Sequence, residues 1–233
     1  MTRPYTRTVA IRALLFDFDG TIVDTESPAF RAWREAFEQH GHELLLRDWS
    51  AAIGTIGGYD PVRHLELLTG RRLDPQAVRE AVRRRHLELV ELEALRPGIA
   101  EYVASADAYG LRIAIVTSAT SEWVSGMLDR LAIAEGWHSF HCAEGDREIA
   151  KPRPDLYLQA LEALGVAADE AIAIEDSPNG VRAAKQAGIL CVATPNEVTQ
   201  ELDLGEADLV VDSLAELPLD QLLERAANLR PKP

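Results

Sequence analysis

Two cysteines, three lysines and 6% aromatic residues are among what this 233-residue sequence has little of. Cys142 and Cys191 are too few for a disulfide framework, and neither belongs to a CxxC or Cys/His cluster with metal spacing. Both read as small buried apolar side chains in a reducing cytoplasm. Positive charge is scarce too: 24 Lys and Arg against 38 Asp and Glu leave a formal net charge of −14, which disfavours nucleic acid or an anionic membrane as partner. If the substrate is an anion, a cation has to help. No stretch is long and apolar enough to span a bilayer, and the segment from Met1 to Thr8 carries basic residues without the apolar run of a signal peptide. What is present, 47% hydrophobic and 27% charged residues, is ordinary for a soluble globular chain of one generous domain or two modest ones.

The most informative stretch runs from Leu14 to Glu26. An apolar run reaching Phe16 reads as a short buried strand, and it stops at Asp17 and Asp19, two carboxylates one residue apart. Two anions this close repel unless a cation, a proton or hydrogen-bond donors compensate, so the pair points to a metal or acid–base site. Asp also simply ends strands. The choice between the two readings rests on what ends the later strands.

From Ser27, read as an N-cap with Pro28 at the first helical position, the pattern is helical. Asp60-Pro61 and Asp74-Pro75 punctuate two further helices, the second with an apolar stripe through Val78, Val82, Leu89 and Leu92. Residues up to about Leu95 contain no convincing strand and read as an insertion. Strand–helix alternation resumes after Arg96-Pro97-Gly98, with strands at 112–116, 140–143, 171–174, 189–193 and 209–211 and a last helix from Leu214 to about Ala226. The tail from Arg230 to Pro233 reads as disordered. Apolar, β-branched strands alternating with helices predict a doubly wound parallel α/β sheet, whose ligands bind at the carboxyl ends of the strands.

Those ends carry complementary chemistry. The strand at 112–116 ends in Thr117-Ser118, a hydroxyl turn suited to an anion. Lys151 stands on a proline-stiffened turn before another helix, and the strand at 171–174 ends in Glu175-Asp176-Ser177. Each alone has a bland explanation as a cap, a surface charge or a solvated turn. Together, at successive strand ends, they do not.

The motifs Asp17-Phe-Asp19-Gly-Thr21, the Thr117 turn, Lys151-Pro-Arg-Pro-Asp155 and Glu175-Asp176-Ser-Pro-Asn-Gly180 resemble those of the haloacid dehalogenase superfamily of phosphohydrolases, in the subgroup with an α-helical cap. The resemblance covers nearly the whole chain. It implies a Rossmann-like α/β core of residues 1–24 and 96–233 and a cap of residues 25–95. It also implies Asp17 as nucleophile, Asp19 as general acid and base, and Thr117, the Ser118 backbone and Lys151 holding the phosphoryl oxygens. Mg²⁺ would be held by Asp17, the Asp19 backbone carbonyl, Asp176 and Glu175.

Asp19 separates the chain from the dehalogenases, which lack this second aspartate, and the absence of any cap lysine separates it from the phosphonoacetaldehyde hydrolases. β-Phosphoglucomutases carry a histidine where this sequence has Ala29, which favours a phosphatase of a small phosphorylated metabolite such as a sugar phosphate over a mutase. A non-catalytic phosphometabolite-binding protein is the rival from another class. In the cap, Arg63, His64 and the loop from Gly54 to Gly58 are candidates for reaching the substrate, whereas Arg85 reads as a long side chain lying on an apolar stripe with its head in water. The oligomeric state is not legible.

Overall fold

The computed structural model describes residues 10–229, so the readings made for Met1 to Thr8 and for Arg230 to Pro233 lie outside the described residues. The chain opens with strand β1 (Ala13–Phe16) and continues through helices α1 (Glu26–Gln39), α2 (Leu46–Trp49), α3 (Pro61–Thr69) and α4 (Pro75–Val90). Then follow α5 (Ile99–Ala106), β2 (Arg112–Thr117), α6 (Ser121–Arg130), β3 (Ser139–Cys142), α7 (Asp155–Leu164) and β4 (Ala171–Glu175). The series closes with α8 (Pro178–Gln186), β5 (Leu190–Ala193), β6 (Leu209–Val210) and α9 (Leu219–Leu229). Among the described residues the strands form one sheet in the order β3-β2-β1-β4-β5-β6, with every neighbouring pair parallel.

Strand periodicity sorts the side chains onto two faces. Leu14, Phe16, Ile113, Ile115, Ile172 and Ile174 pack with α5, α6 and α9. Ala13, Ala114, Ala171, Ala173 and Ala193 face α7 and α8 instead, where the small side chains let the helices sit close. β1 is central, with Phe16 in register with both Ile115 and Ile174. That register brings Asp17, Thr117 and Glu175 to the same carboxyl-terminal edge.

Helices α1, α3 and α4 share an apolar cluster built on Trp33, Phe37, Val62, Leu65, Val82 and Leu89, which Val198 and Leu202 join from the sheet side. The Asp-Pro pairs act as read: the Asp60 and Asp74 carboxylates cap α3 and α4 at their free N–H groups. Four details differ from the sequence reading. α1 starts at Glu26, because Ser27 donates both its N–H and its hydroxyl to Asp24 at 3.0 and 2.7 Å rather than capping the helix. The segment before Tyr59 holds the short α2. Leu92 lies beyond the end of α4 and is 82% exposed. Pro218 splits the last helix into a 3-10 turn at Leu214–Glu216 and α9, as a residue without an N–H does. The Arg85 side chain remains 38% exposed, and its head also pairs with Glu35 of α1, at 2.7 and 3.2 Å, and with Glu88 at 3.0 Å.

Candidate active site

Asp17, directly after β1, is buried, with its N–H donated to the Ile174 carbonyl at 2.9 Å. The Lys151 ammonium, itself 1% exposed, donates to the Asp17 carboxylate and to Glu175 Oε1, the latter at 2.7 Å. Tyr157 donates its hydroxyl to the same Oε1 at 2.6 Å. Asp176 Oδ2 accepts from Asn196 at 2.8 Å. Burial pulls the Lys151 pKa down, but Asp17 and Glu175 outweigh it and raise it above the usual lysine value. Burial pushes Glu175 up to about 7 against the pull of Lys151, and raises Asp176 well above the usual aspartate value. One ammonium is too little positive charge for this many carboxylates.

A divalent cation fits that deficit. Asp17, Glu175 and Asp176 each offer one carboxylate oxygen, all within 4.8 Å of one another. Glu175 Oε2 and Asp176 Oδ1 are buried without a hydrogen-bond partner, which is costly unless something else takes their lone pairs. An all-oxygen donor set suits a hard ion such as Mg²⁺. The Asp19 carboxylate is not in this group. Gly20 guards it: at φ +86° an added Cβ would lie 2.1 Å from Asp176 Oδ2 and 2.9 Å from Asn196 Nδ2. Gly20→Ala is therefore expected to turn the Asp176 carboxylate away and weaken Mg²⁺ binding by roughly 10–100-fold, as measured by titration calorimetry. Wild-type affinity in this variant would show that Asp176 does not hold the ion.

Asp19 is half-buried on a cavity of about 330 Å³. Its Oδ1 accepts from the Thr25 hydroxyl at 2.7 Å and from the Trp123 indole N–H at 2.9 Å. Desolvation pushes its pKa up to about 6, against those two donors. Thr117, Ser118, Ala119 and Thr120 form one wall of the cavity, and Thr25, Glu26, Ala29, Gly54, Thr55 and His86 form much of the rest. Thr120, not Thr117, caps α6, so the Thr117 hydroxyl accepts from Ala119 N–H at 3.1 Å instead. The Ser118 hydroxyl links the amide of Lys151, at 3.2 Å, to the carbonyl of Gly54, at 3.3 Å.

All of the sequence-predicted residues, Asp17, Asp19, Thr117, Ser118, Lys151, Glu175 and Asp176, thus meet at one edge of the sheet. The Gly54 to Gly58 loop reaches it too, since Thr55 donates its hydroxyl to the Lys151 carbonyl and Asn179 donates to the Ile53 carbonyl at 2.8 Å. Arg63 and His64 do not. Arg63 lies on an outer surface with Arg71 and Arg72, and His64 pairs with the Tyr59 hydroxyl at 2.5 Å.

Sequence reasoning missed several contributors. Arg96 donates at 2.6 Å to the carbonyls of Gly20, Thr194 and Pro195, tying the loop after β1 to the one after β5. The Glu26 carboxyl, pushed up to about 8 by burial and then by Asp19, lines the cavity. Glu26 closes the stretch from Leu14 that carries the first motif, so its position was a usable signal. Trp123, His86 and Asn196 had none.

A parallel sheet of this order, with buried carboxylates and a lysine converging on its carboxyl-terminal edge, defines an α/β enzyme of the group-transfer or hydrolase type. The chain belongs to the haloacid dehalogenase-like hydrolases, whose family model matches residues 11–188. It is 40% identical to YhcW of Bacillus subtilis (strain 168), over 92% of this chain and 97% of that protein. It is 30% identical to hexitol phosphatase A of Escherichia coli (strain K12), over 88% of this chain and 93% of the relative. Crystal structures of CbbY from Rhodobacter sphaeroides, one in complex with phosphate and one with xylulose-(1,5)bisphosphate, superpose with a TM-score of 0.71 at 32% identity, covering 91% of this chain and 99% of theirs. Among the described residues no helix is long and apolar enough to cross a membrane.

Proposed function

We propose that this hydrolase is a Mg²⁺-dependent phosphatase of small phosphorylated metabolites, sugar phosphates above all, working through an aspartyl-phosphate on Asp17. The observation that carries the reading is the division of labour between two aspartates on one site. Asp17 is tied to Lys151 beside the carboxylate cluster, and Asp19 is held by neutral donors with its pKa raised. The phosphatase and bisphosphate complex among its relatives support the same class.

Asp17 attacks phosphorus in line, and the phosphoryl oxygens are received by Lys151, Thr117 and the backbone of Ser118. Asp19, protonated when substrate binds, gives its proton to the leaving oxygen, then takes one from the water that hydrolyses the aspartyl-phosphate. Asp17, the Asp19 carbonyl, Asp176 and Glu175 through Oε2 would hold the Mg²⁺. When bound, that ion neutralises phosphoryl charge and lets two anions approach. Residues 25–95 serve as the cap, and its opening and closing admits substrate and excludes bulk water. Ala29 lines the cavity at the position where a mutase carries histidine. Burial lowers the His86 pKa, and its Nε2 is turned to the Thr25 carbonyl at 3.2 Å. Neither position thus offers the free histidine of a mutase.

The test is phosphate release from a panel of hexose and pentose phosphates, phosphoglycolate and nucleotides with Mg²⁺ or EDTA. Release that EDTA stops, strongest on sugar phosphates, is the expected result. Conversion of β-glucose 1-phosphate to glucose 6-phosphate faster than release would make the chain a mutase. Ligand-induced stabilisation without turnover would make it a binding protein.

A further inference from the structure

Trp123 stands where no sequence motif places a functional residue, in the first turn of α6. Both hydrogen bonds to the Asp19 side chain arrive at one oxygen, Oδ1, and among the described residues no donor reaches Oδ2. The two donors are not equivalent. The Thr25 hydroxyl can rotate and accept a proton instead of giving one, whereas an indole N–H only donates. The carbonyl oxygen of a neutral carboxyl group is its better acceptor, so an oxygen that takes the indole N–H is held in the acceptor's role. Oδ2 is thereby left free of donors to exchange a proton.

The indole is braced. The His86 ring, carried by α4, lies against Trp123 with centroids 6.1 Å apart and planes inclined at 32°, while its Nε2 meets the carbonyl of Thr25 at 3.2 Å. One side chain of α4 thus fixes both elements that donate to Asp19. We propose that Trp123 is a positioning residue that holds the Asp19 carboxyl group by Oδ1 and so presents Oδ2 to the leaving group. The inference rests on the phosphatase reading above. In the step concerned, a bond forms between an Asp17 carboxylate oxygen and phosphorus as the P–O ester bond breaks, the latter's electron pair stays on the leaving oxygen, and the proton on Asp19 Oδ2 passes to that oxygen, leaving a carboxylate.

Leaving-group dependence separates this role from a structural one. An alkyl phosphate needs the proton, but p-nitrophenyl phosphate expels a stable phenolate without it. Trp123→Phe keeps the ring stacked on His86 and removes only the donor. In single-turnover measurements, alcohol release from a hexose 6-phosphate is expected to fall roughly 10²-fold, and the burst of p-nitrophenolate from p-nitrophenyl phosphate far less, since the later hydrolysis of the aspartyl-phosphate is common to both esters. Equal losses on the two esters, or no loss on either, would overturn the inference while leaving the phosphatase reading standing. Wild-type protein inactive on both would overturn that reading and this inference with it.

A second measurement needs neither turnover nor a folded Trp123→Phe variant. Indole N–H resonances of the metal-free protein are compared in wild type and Asp19→Ala. The Trp123 signal, assigned against single replacements of the other three tryptophans, should move when its acceptor is removed. A Trp123 signal indifferent to Asp19 would overturn the proposal.

Discussion

Asp17→Asn is expected to abolish phosphate release, lowering kcat by about 10⁴-fold or more, in a protein that remains folded. The amide is nearly isosteric, and the backbone N–H keeps its bond to the Ile174 carbonyl. Its oxygen can still accept from Lys151. What it lacks is a carboxylate able to attack phosphorus. Removing one anion from a cluster short of positive charge also relieves repulsion among Asp17, Glu175 and Asp176. Thermal stability without Mg²⁺ should therefore be unchanged or higher than wild type. Mass spectrometry of acid-quenched reactions should find the phosphoryl group on the Asp17 peptide in wild type and nowhere in the variant. Turnover within about tenfold of wild type would remove Asp17 from the nucleophile's role.

The part of this site that was legible in the sequence is the part set by local pattern. An apolar run that breaks at Asp17 marks both a strand and its end. Parallel pairing of like strands then brings Thr117 and Glu175 beside it, because Phe16 aligns with Ile115 and Ile174. The same logic gave the Asp-Pro helix starts. What was not legible depends on where one helix lies over another. Trp123 reaches Asp19 across 104 residues only because α6 starts beside the turn after β1. Arg85 meets Glu35 only once α1 and α4 pack together. The boundary errors came from local competition: Asp24 took the donors that Ser27 was expected to use for capping, and Pro218 interrupted an apolar stripe that periodicity alone carries through.

Lys151→Met carries the largest expected stability effect. Methionine keeps much of the buried stem, but the ammonium that serves Asp17 and Glu175 is gone, leaving two carboxylates without their cation. Losing one member of a buried ionic cluster costs about 3–5 kcal/mol, which lowers Tm by roughly 6–20 °C for a chain of this size. The sign of its pH dependence follows from Glu175. That group ionises near 4.5 when unfolded and is raised to about 7 in the folded protein even with Lys151 beside it. Below 4.5 Glu175 is protonated in both states and adds no buried anion of its own. As pH rises the unfolded chain releases its proton first, so folded stability falls through that window. Without the lysine, which pulls this pKa down, the window extends further upward. The gap between variant and wild type should therefore be smallest near pH 5 and widest near pH 8, with added Mg²⁺ narrowing it by supplying positive charge to the same carboxylates. Thermal denaturation at the two pH values decides the matter. A gap that does not change with pH would mean that Lys151 holds the site by packing rather than by charge.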